Sequence, residues 1–163
     1  MTVGTGLRLR PAANADRDLL LAWRNRPEII ARGTHLRTIE PDEHARWFAD
    51  ALTSTRRLLL IVELDGEPIG QVHFQAVDAG NWSVSIYLLE PYTGRGLGTE
   101  ALHTACAIAH QRGVATTWAL IRDENERSTA AFRRVGFVAA DDPAIEVPPG
   151  HHALRLDGVV AHA

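Results

Sequence analysis

The sequence predicts an α/β domain in three layers, a mixed sheet covered by helices on both faces. Three observations carry this expectation. The apolar period switches from helical to alternating at Arg57 and returns to helical after Thr99. Two turn signals, Asp65-Gly66 and Gly80-Asn81, join consecutive strands directly, so part of the sheet is antiparallel. Beyond them strands alternate with helices, as a parallel crossover requires.

The elements follow in order. Leu7-Arg8-Leu9-Arg10 alternates like a short strand, and Pro11 to Asn14 break it. Asn14 is placed to cap a helix through Trp23, with Asp16 and Asp18 near its positive end. Pro27 interrupts, and Glu28 to Ala31 reads as a shorter helical turn. Pro41 fits the first position of another helix, followed by Asp42 and Glu43 and an apolar face of Trp47, Phe48, Ala51 and Leu52. Arg57 to Leu64, Pro68 to Val77 and Trp82 to Leu89 are three strands. Glu100 to Arg112 is a helix, with Leu97, Ala101, Leu102, Ala105, Ile108 and Ala109 at helical spacing and Gly113 as its C-terminal cap. Val114 to Ile121 is a strand, and Asn125 to Val135 a helix stopped by Gly136. Phe137-Val138 and His152 to Val160 are expected to close the sheet as an antiparallel pair. The order is β-αα-βββ-α-β-α-ββ.

At 163 residues, 45% apolar and 23% charged, the chain is expected to form one domain, residues 1–163, with a real core. The lone Cys106 excludes a disulfide framework or thiolate cluster, and no metal is expected. A net charge of −3 argues against a dedicated nucleic-acid binder. Met1-Thr2-Val3-Gly4-Thr5-Gly6 lacks a signal pattern, and the longest apolar run, Leu58 to Val62, is far too short to span a bilayer. The expectation is a cytoplasmic domain without a membrane partner, monomer or homodimer.

Thr93-Gly94-Arg95-Gly96-Leu97-Gly98-Thr99 lies between a strand and a helix. Its glycines permit positive φ and close backbone approach. Amides against a helix N-terminus form a cradle for a diphosphate, and Arg95 adds positive charge. No Gly-Lys-Ser/Thr ends the loop, and Gly94, Gly96 and Gly98 have the wrong spacing for Gly-x-Gly-x-x-Gly, which disfavours ATP and dinucleotide users. A flexible connection is the bland alternative.

The second motif begins at Asn125-Glu126-Arg127-Ser128 and ends at Phe132-Arg133-Arg134-Val135-Gly136-Phe137; Asn125 and Gly136 serve equally as helix cap and stop. The two motifs, in this order, resemble the GNAT superfamily of acetyl-CoA-dependent N-acetyltransferases. There a Gln/Arg-x-x-Gly-x-Gly/Ala loop binds the CoA pyrophosphate, and an Asn-x-x-Ser/Ala-x-x-x-Tyr/Phe-x-x-x-Gly-Phe helix flanks the thioester. Thr93 departs from the usual Gln or Arg. The resemblance implies a GNAT-like α/β/α fold with a splayed sheet, and a bulge in the strand ending at Glu90 that frees backbone groups for pantetheine. It implies acetyl-CoA as co-substrate, bound by Leu88, Leu89, Glu90, Arg95, Gly96, Leu97, Gly98, Thr99, Asn125 and Phe132.

The acceptor is expected to be a small-molecule primary amine. Trp23-Arg24-Asn25 and the run from Pro41 to Phe48 resemble two branches of the superfamily: the ribosomal-protein N-terminal acetyltransferases and the UDP-4-amino-sugar N-acetyltransferase of pseudaminic acid biosynthesis. Arg24, His44 and Tyr87 match nucleotide-pocket positions of the latter, whereas Gln75 and Ala76 replace its Thr-Lys pair. The resemblance thus points to an amino sugar or nucleotide-linked amino sugar, with a protein N-terminus, an antibiotic-type amine or a non-catalytic CoA-binding module as alternatives. Each match also has a structural alternative: a surface ion pair for Arg24, core packing for His44, an ordinary strand position for Tyr87.

Phe132 stands where many relatives carry a proton-donating Tyr, so Ser128 becomes the candidate acid, although its hydroxyl also suits a cap. Glu90 and His73 are candidate bases, with Asp123, Glu124 or a water relay as alternatives. His73 alternates with Val72 and Phe74 and so belongs to the opposite strand face. Asn125 is expected beside the thioester. Cys106, in an Ala-rich helix, reads as packed rather than nucleophilic.

Overall fold

The structure, a computed structural model, describes residues 6–32 and 36–158. Strands β1 (Leu7–Pro11), β2 (Arg57–Leu64), β3 (Glu67–Ala76), β4 (Asn81–Leu88), β5 (Thr116–Arg122), β6 (Val138–Ala139) and β7 (His151–Asp157) form one sheet in the order β1-β2-β3-β4-β5-β7-β6. Only the β4–β5 pair is parallel, so the sheet is mixed as expected. Helices α1 (Arg17–Arg24), α2 (Pro27–Arg32) and α3 (Pro41–Thr53) precede β2; α4 (Leu97–Gln111) crosses from β4 to β5, and α5 (Glu126–Val135) follows β5.

Two cores flank the sheet. Leu60, Val62, Val72, Phe74 and Val84 pack with Ala101, Leu102 and Ala105 of α4 and Phe132 of α5. The opposite face places Leu59 and Ile61 against Leu20 and Trp23 of α1 and Phe48 and Ala51 of α3. Alternation on β2 makes this possible, because neighbouring residues point to opposite faces.

Several boundaries move for local reasons. Asn14 opens a 3-10 turn (Asn14–Asp16) instead of capping a helix. The buried Asp16 carboxylate accepts the Ala13 amide hydrogen at 2.8 Å and pairs with both Arg10 Nη atoms at 2.8 and 2.9 Å, so α1 begins only after it. Helix α4 starts at Leu97, ahead of the expected Glu100, because Gly96 at φ +80° already occupies its N-cap. Val114 donates its amide hydrogen to Ala109 O at 3.2 Å and wraps the end of α4, which delays β5 to Thr116. Phe137 does the same for α5: its amide bonds Phe132 O at 3.1 Å and that of Gly136 bonds Arg133 O at 3.0 Å, a Schellman ending. Strand β6 therefore begins at Val138. Strand β7 ends at Asp157; Val159 and Val160 of the expected strand lie outside the described residues, as do Met1 to Thr5.

The sheet is splayed. β4 pairs with β5 from Asn81↔Thr116 to Val84↔Ala119 and no further, while β5 stays with β7 through Arg122↔His151. The expected bulge in β4 is absent: its register with β3 is unbroken from Ala76↔Trp82 to Gly70↔Leu88, and the bulge of this region lies in β3, where Ile69 is the extra residue opposite Val62 and Glu63 of β2. Divergence of β5 opens the gap instead. Leu89 donates its amide hydrogen to Ile69 O at 2.8 Å, so by antiparallel alternation Ile86 and Leu88 turn their backbone groups away from β3 and toward the gap.

Candidate active site

A cleft of about 1170 Å³ runs from the start of α4, through the gap, to the space beneath α1 and α3. At one end, the Gly96 cap leaves the Leu97, Gly98 and Thr99 amides without a side-chain cap. These orphan donors of the first turn, at the positive helix end, suit a diphosphate. Arg95 is exposed, with its guanidinium carbon 5.9 Å from the Tyr92 ring centroid, and adds charge beside the cradle rather than a wall to it.

Across the gap stands α5. Asn125 Oδ1 accepts the Ser128 amide hydrogen at 3.1 Å, the cap expected of it, which leaves its Nδ2 group for a ligand. Ser128, Ala131 and Phe132 continue that wall. Phe132 meets Phe137 edge to face, with centroids 4.9 Å apart at 84°.

The opposite end holds Arg24, His44, His73 and Tyr87, which the structure brings together on one cleft. His44 is 3% exposed, stacks on Phe48 with centroids 5.9 Å apart, and has no partner for Nδ1. Burial, then Arg17 and Arg24, push its pKa below the ordinary value. His73 packs edge-on to Trp47 at 5.3 Å, and burial followed by Arg57 lowers its pKa to about 4. Its Nε2 and the Tyr87 hydroxyl are buried and unpartnered. Burial raises the Tyr87 pKa, opposed by Arg24 and Arg26, so the phenol stays protonated as a donor. Trp23 is core, packed against Tyr87 at 6.3 Å.

Three expectations need correction. Leu89 spends its amide on Ile69 and its carbonyl on Tyr92, and its side chain joins the α1–α3 core, so only Leu88 of that trio faces the gap. Glu90 is exposed, past the end of β4, and its side chain is not part of the cleft wall on which it was expected. Asp123 is engaged with His152 at 2.8 Å and Glu124 with Arg122 at 3.5 Å, both away from the wall. Cys106 is buried in the core and its thiol is pushed up to about 12, which keeps it protonated and unreactive, as expected.

Sequence reasoning missed a polar stripe. Gln71, His73 and Gln75 of β3 face the cleft beside Ser83, Ser85 and Tyr87 of β4, their register partners. The signal was present as polar residues at period two inside otherwise apolar strands. Arg32 was missed as well; it lines the cleft and its Nη2 lies 3.5 Å from Leu88 O.

Among the described residues no helix is long and apolar enough to cross a membrane, and no group of His, Cys, Asp or Glu is placed to hold a metal. A family model described as "Acetyltransferase (GNAT) domain" matches residues 6–138. No curated protein matches the sequence significantly. Among solved structures, the chain is similar to a domain from Methanocaldococcus jannaschii (19% identity, TM-score 0.79, covering 93% of this chain and 97% of that one). It is similar to the aminoglycoside acetyltransferase AAC(6')-Ib in complex with coenzyme A (17%, 0.78, 93% and 94%). A third is the spermidine N-acetyltransferase from Vibrio cholerae with CoA and spermine (14%, 0.81, 95% and 97%).

Proposed function

The chain belongs to the acetyltransferase (GNAT) family and is an acetyl-CoA-dependent N-acetyltransferase; from that premise we propose that its acceptor is the primary amine of an amino sugar or nucleotide-linked amino sugar, acetylated by direct attack in a ternary complex. The polar stripe carries this reading. Two glutamines, two serines, a neutral imidazole and a phenol offer donors and acceptors in pairs, the inventory that sugar hydroxyls require. Trp47 on the same wall offers an apolar face for a ring. Similar structures include enzymes for aminoglycosides and spermidine, which supports a small amine over a protein terminus.

The roles follow from placement. The Leu97–Thr99 amides and Gly96 hold the diphosphate, and the Ile86 and Leu88 backbone groups that turn toward the gap, the Leu88 carbonyl shared with Arg32, line the arm that carries the thioester. A backbone amide there polarises the thioester oxygen. The amine nitrogen, neutral when it attacks, forms the new N–C bond as the C–S bond breaks, and loses one proton. The leaving sulfur takes a proton from Ser128, from water or from the amine, since Phe132 has none to give. With Glu90 off the wall, water ordered by His73 and Ser85 is the route for the proton off nitrogen.

Free-thiol release from acetyl-CoA, measured with amino sugars, nucleotide-linked amino sugars, aminoglycosides, polyamines and N-terminal peptides, tests this. Turnover highest for an amino sugar or its nucleotide is expected. Preference for a peptide over every sugar would overturn the acceptor assignment.

A further inference from the structure

Resting on the acetyltransferase reading, we propose that the acceptor carries an anionic group, a phosphate or carboxylate, on the same small molecule as its amine, and that Arg24 and Arg32 hold it while polycationic amines are refused.

The acceptor end of the cleft is cationic. Arg24, Arg32 and Arg37 line it, opposed there by Glu43 alone; the other carboxylate on the cleft wall among the described residues, Glu146, comes from the segment before β7. Glu43 is already committed, with Arg37 Nη1 and Nη2 at 3.2 and 2.8 Å from its two oxygens, and Arg37, with weaker help from Arg46 and Arg24, holds its pKa below the usual carboxylate range. At this end of the cleft, among the described residues, no uncommitted carboxylate is left for a polyamine or an aminoglycoside, whose charges need carboxylate partners.

Arg24 and Arg32 make no ion pair among the described residues, yet both are held in place through carbonyl groups. Arg24 Nη1 donates to Arg37 O at 3.1 Å, and Arg32 Nε donates to Glu28 O at 3.0 Å. Carbonyls orient a guanidinium without neutralising it, so the charge stays available for bidentate binding of a phosphate or carboxylate. Near Arg24, His44 Nδ1 and the Tyr87 hydroxyl are buried without partners, and Arg24 is close enough to both to shift their titration. A fixed positive charge beside two buried, unmet polar atoms at one end of the cleft is the arrangement of a subsite awaiting an anion. Arg32 reaches Leu88 O at the edge of the gap, which places the anion within a few bonds of the reacting amine.

The test compares glucosamine, glucosamine 1-phosphate, glucosaminate, spermidine and kanamycin as acceptors, by thiol release and by calorimetric binding to the CoA-loaded protein. One charged group engaged by arginine is worth about 10–100-fold. Glucosamine 1-phosphate or glucosaminate is therefore expected to exceed glucosamine about tenfold or more in kcat/KM and in affinity, and the better of the two tells phosphate from carboxylate. In the double variant R24A/R32A this ratio is expected to fall toward one with KM for acetyl-CoA unchanged, and Arg24→Lys is expected to restore part of it. The proposal is overturned if glucosamine, spermidine or kanamycin binds as well as both anionic probes, if the ratio survives the double variant, or if KM for acetyl-CoA rises in step, which would assign the arginines to the cofactor. Anionic probes that bind tightly without any thiol release would instead count against the acceptor reading and leave the anion site standing.

Discussion

Asn125 and Ser128 are joined by a single hydrogen bond of 3.1 Å, from the Ser128 amide to Asn125 Oδ1, at the mouth of the gap between β4 and β5. A residue that lines the cleft therefore also starts the helix that carries Ser128 and Phe132.

That dual use separates two variants. Asn125→Ala loses cap and cleft amide together; it is expected to cost about 1 kcal/mol of stability and to raise KM for acetyl-CoA. Asn125→Asp keeps the cap oxygen but not the Nδ2 donor, so its Tm is expected to match wild type while KM still rises. Equal KM for Asp and Asn would confine the residue to capping.

The glycine loop gives a second test. A Cβ on Gly98 meets Leu88 Cδ1 at 3.8 Å, an ordinary van der Waals contact, so Gly98→Val is expected to leave the fold intact, with an unchanged circular dichroism spectrum as the check. The added bulk falls at the first turn of α4, where a diphosphate is proposed to approach the helix amides, and CoA affinity by calorimetry is expected to drop at least about tenfold. Wild-type affinity in this variant would remove the cradle assignment.

His73 sets an acid limit. Its native pKa of about 4 lies below the unfolded value, so the unfolded chain binds the proton first. The stability concerned is fully present above about pH 6.5 and is lost as pH falls toward 4, by up to roughly 3 kcal/mol. His73→Gln is expected to flatten the fall in Tm between neutral and acid pH. An unchanged slope would show that burial does not hold this imidazole neutral.

Chemistry without a tyrosine acid has a kinetic signature. Rate is expected to rise with pH as the amine loses its proton and then to reach a plateau, because no tyrosine titrates out of the acid role. Phe132→Tyr should change kcat only a few-fold. Ser128→Ala should cost at most roughly the 10²–10⁴ of a general acid. A steep alkaline fall in kcat with the fold intact would contradict this.

Residues whose behaviour is set by their immediate neighbours were legible in the sequence. Gly96, Gly113 and Gly136 adopt positive φ at helix ends, and Asn125 caps α5, because these positions are decided by one turn of backbone. The glycine loop, the alternation that turns His73 away from Val72 and Phe74, and the mixed order of the sheet were readable for the same reason. Tertiary structure alone decided where the sheet opens. Strand β5 leaves β4 at Ala119 to stay with β7, a choice between partners distant in sequence that no local pattern encodes. That divergence, rather than a bulge in β4, opens the gap onto which the Leu88 backbone turns; Leu89 pairs with Ile69 by continuing the β3–β4 register, and Glu90 lies past the end of the strand. Arg32 enters the site because the chain after α1 folds back over the end of β4, bringing together residues 56 positions apart.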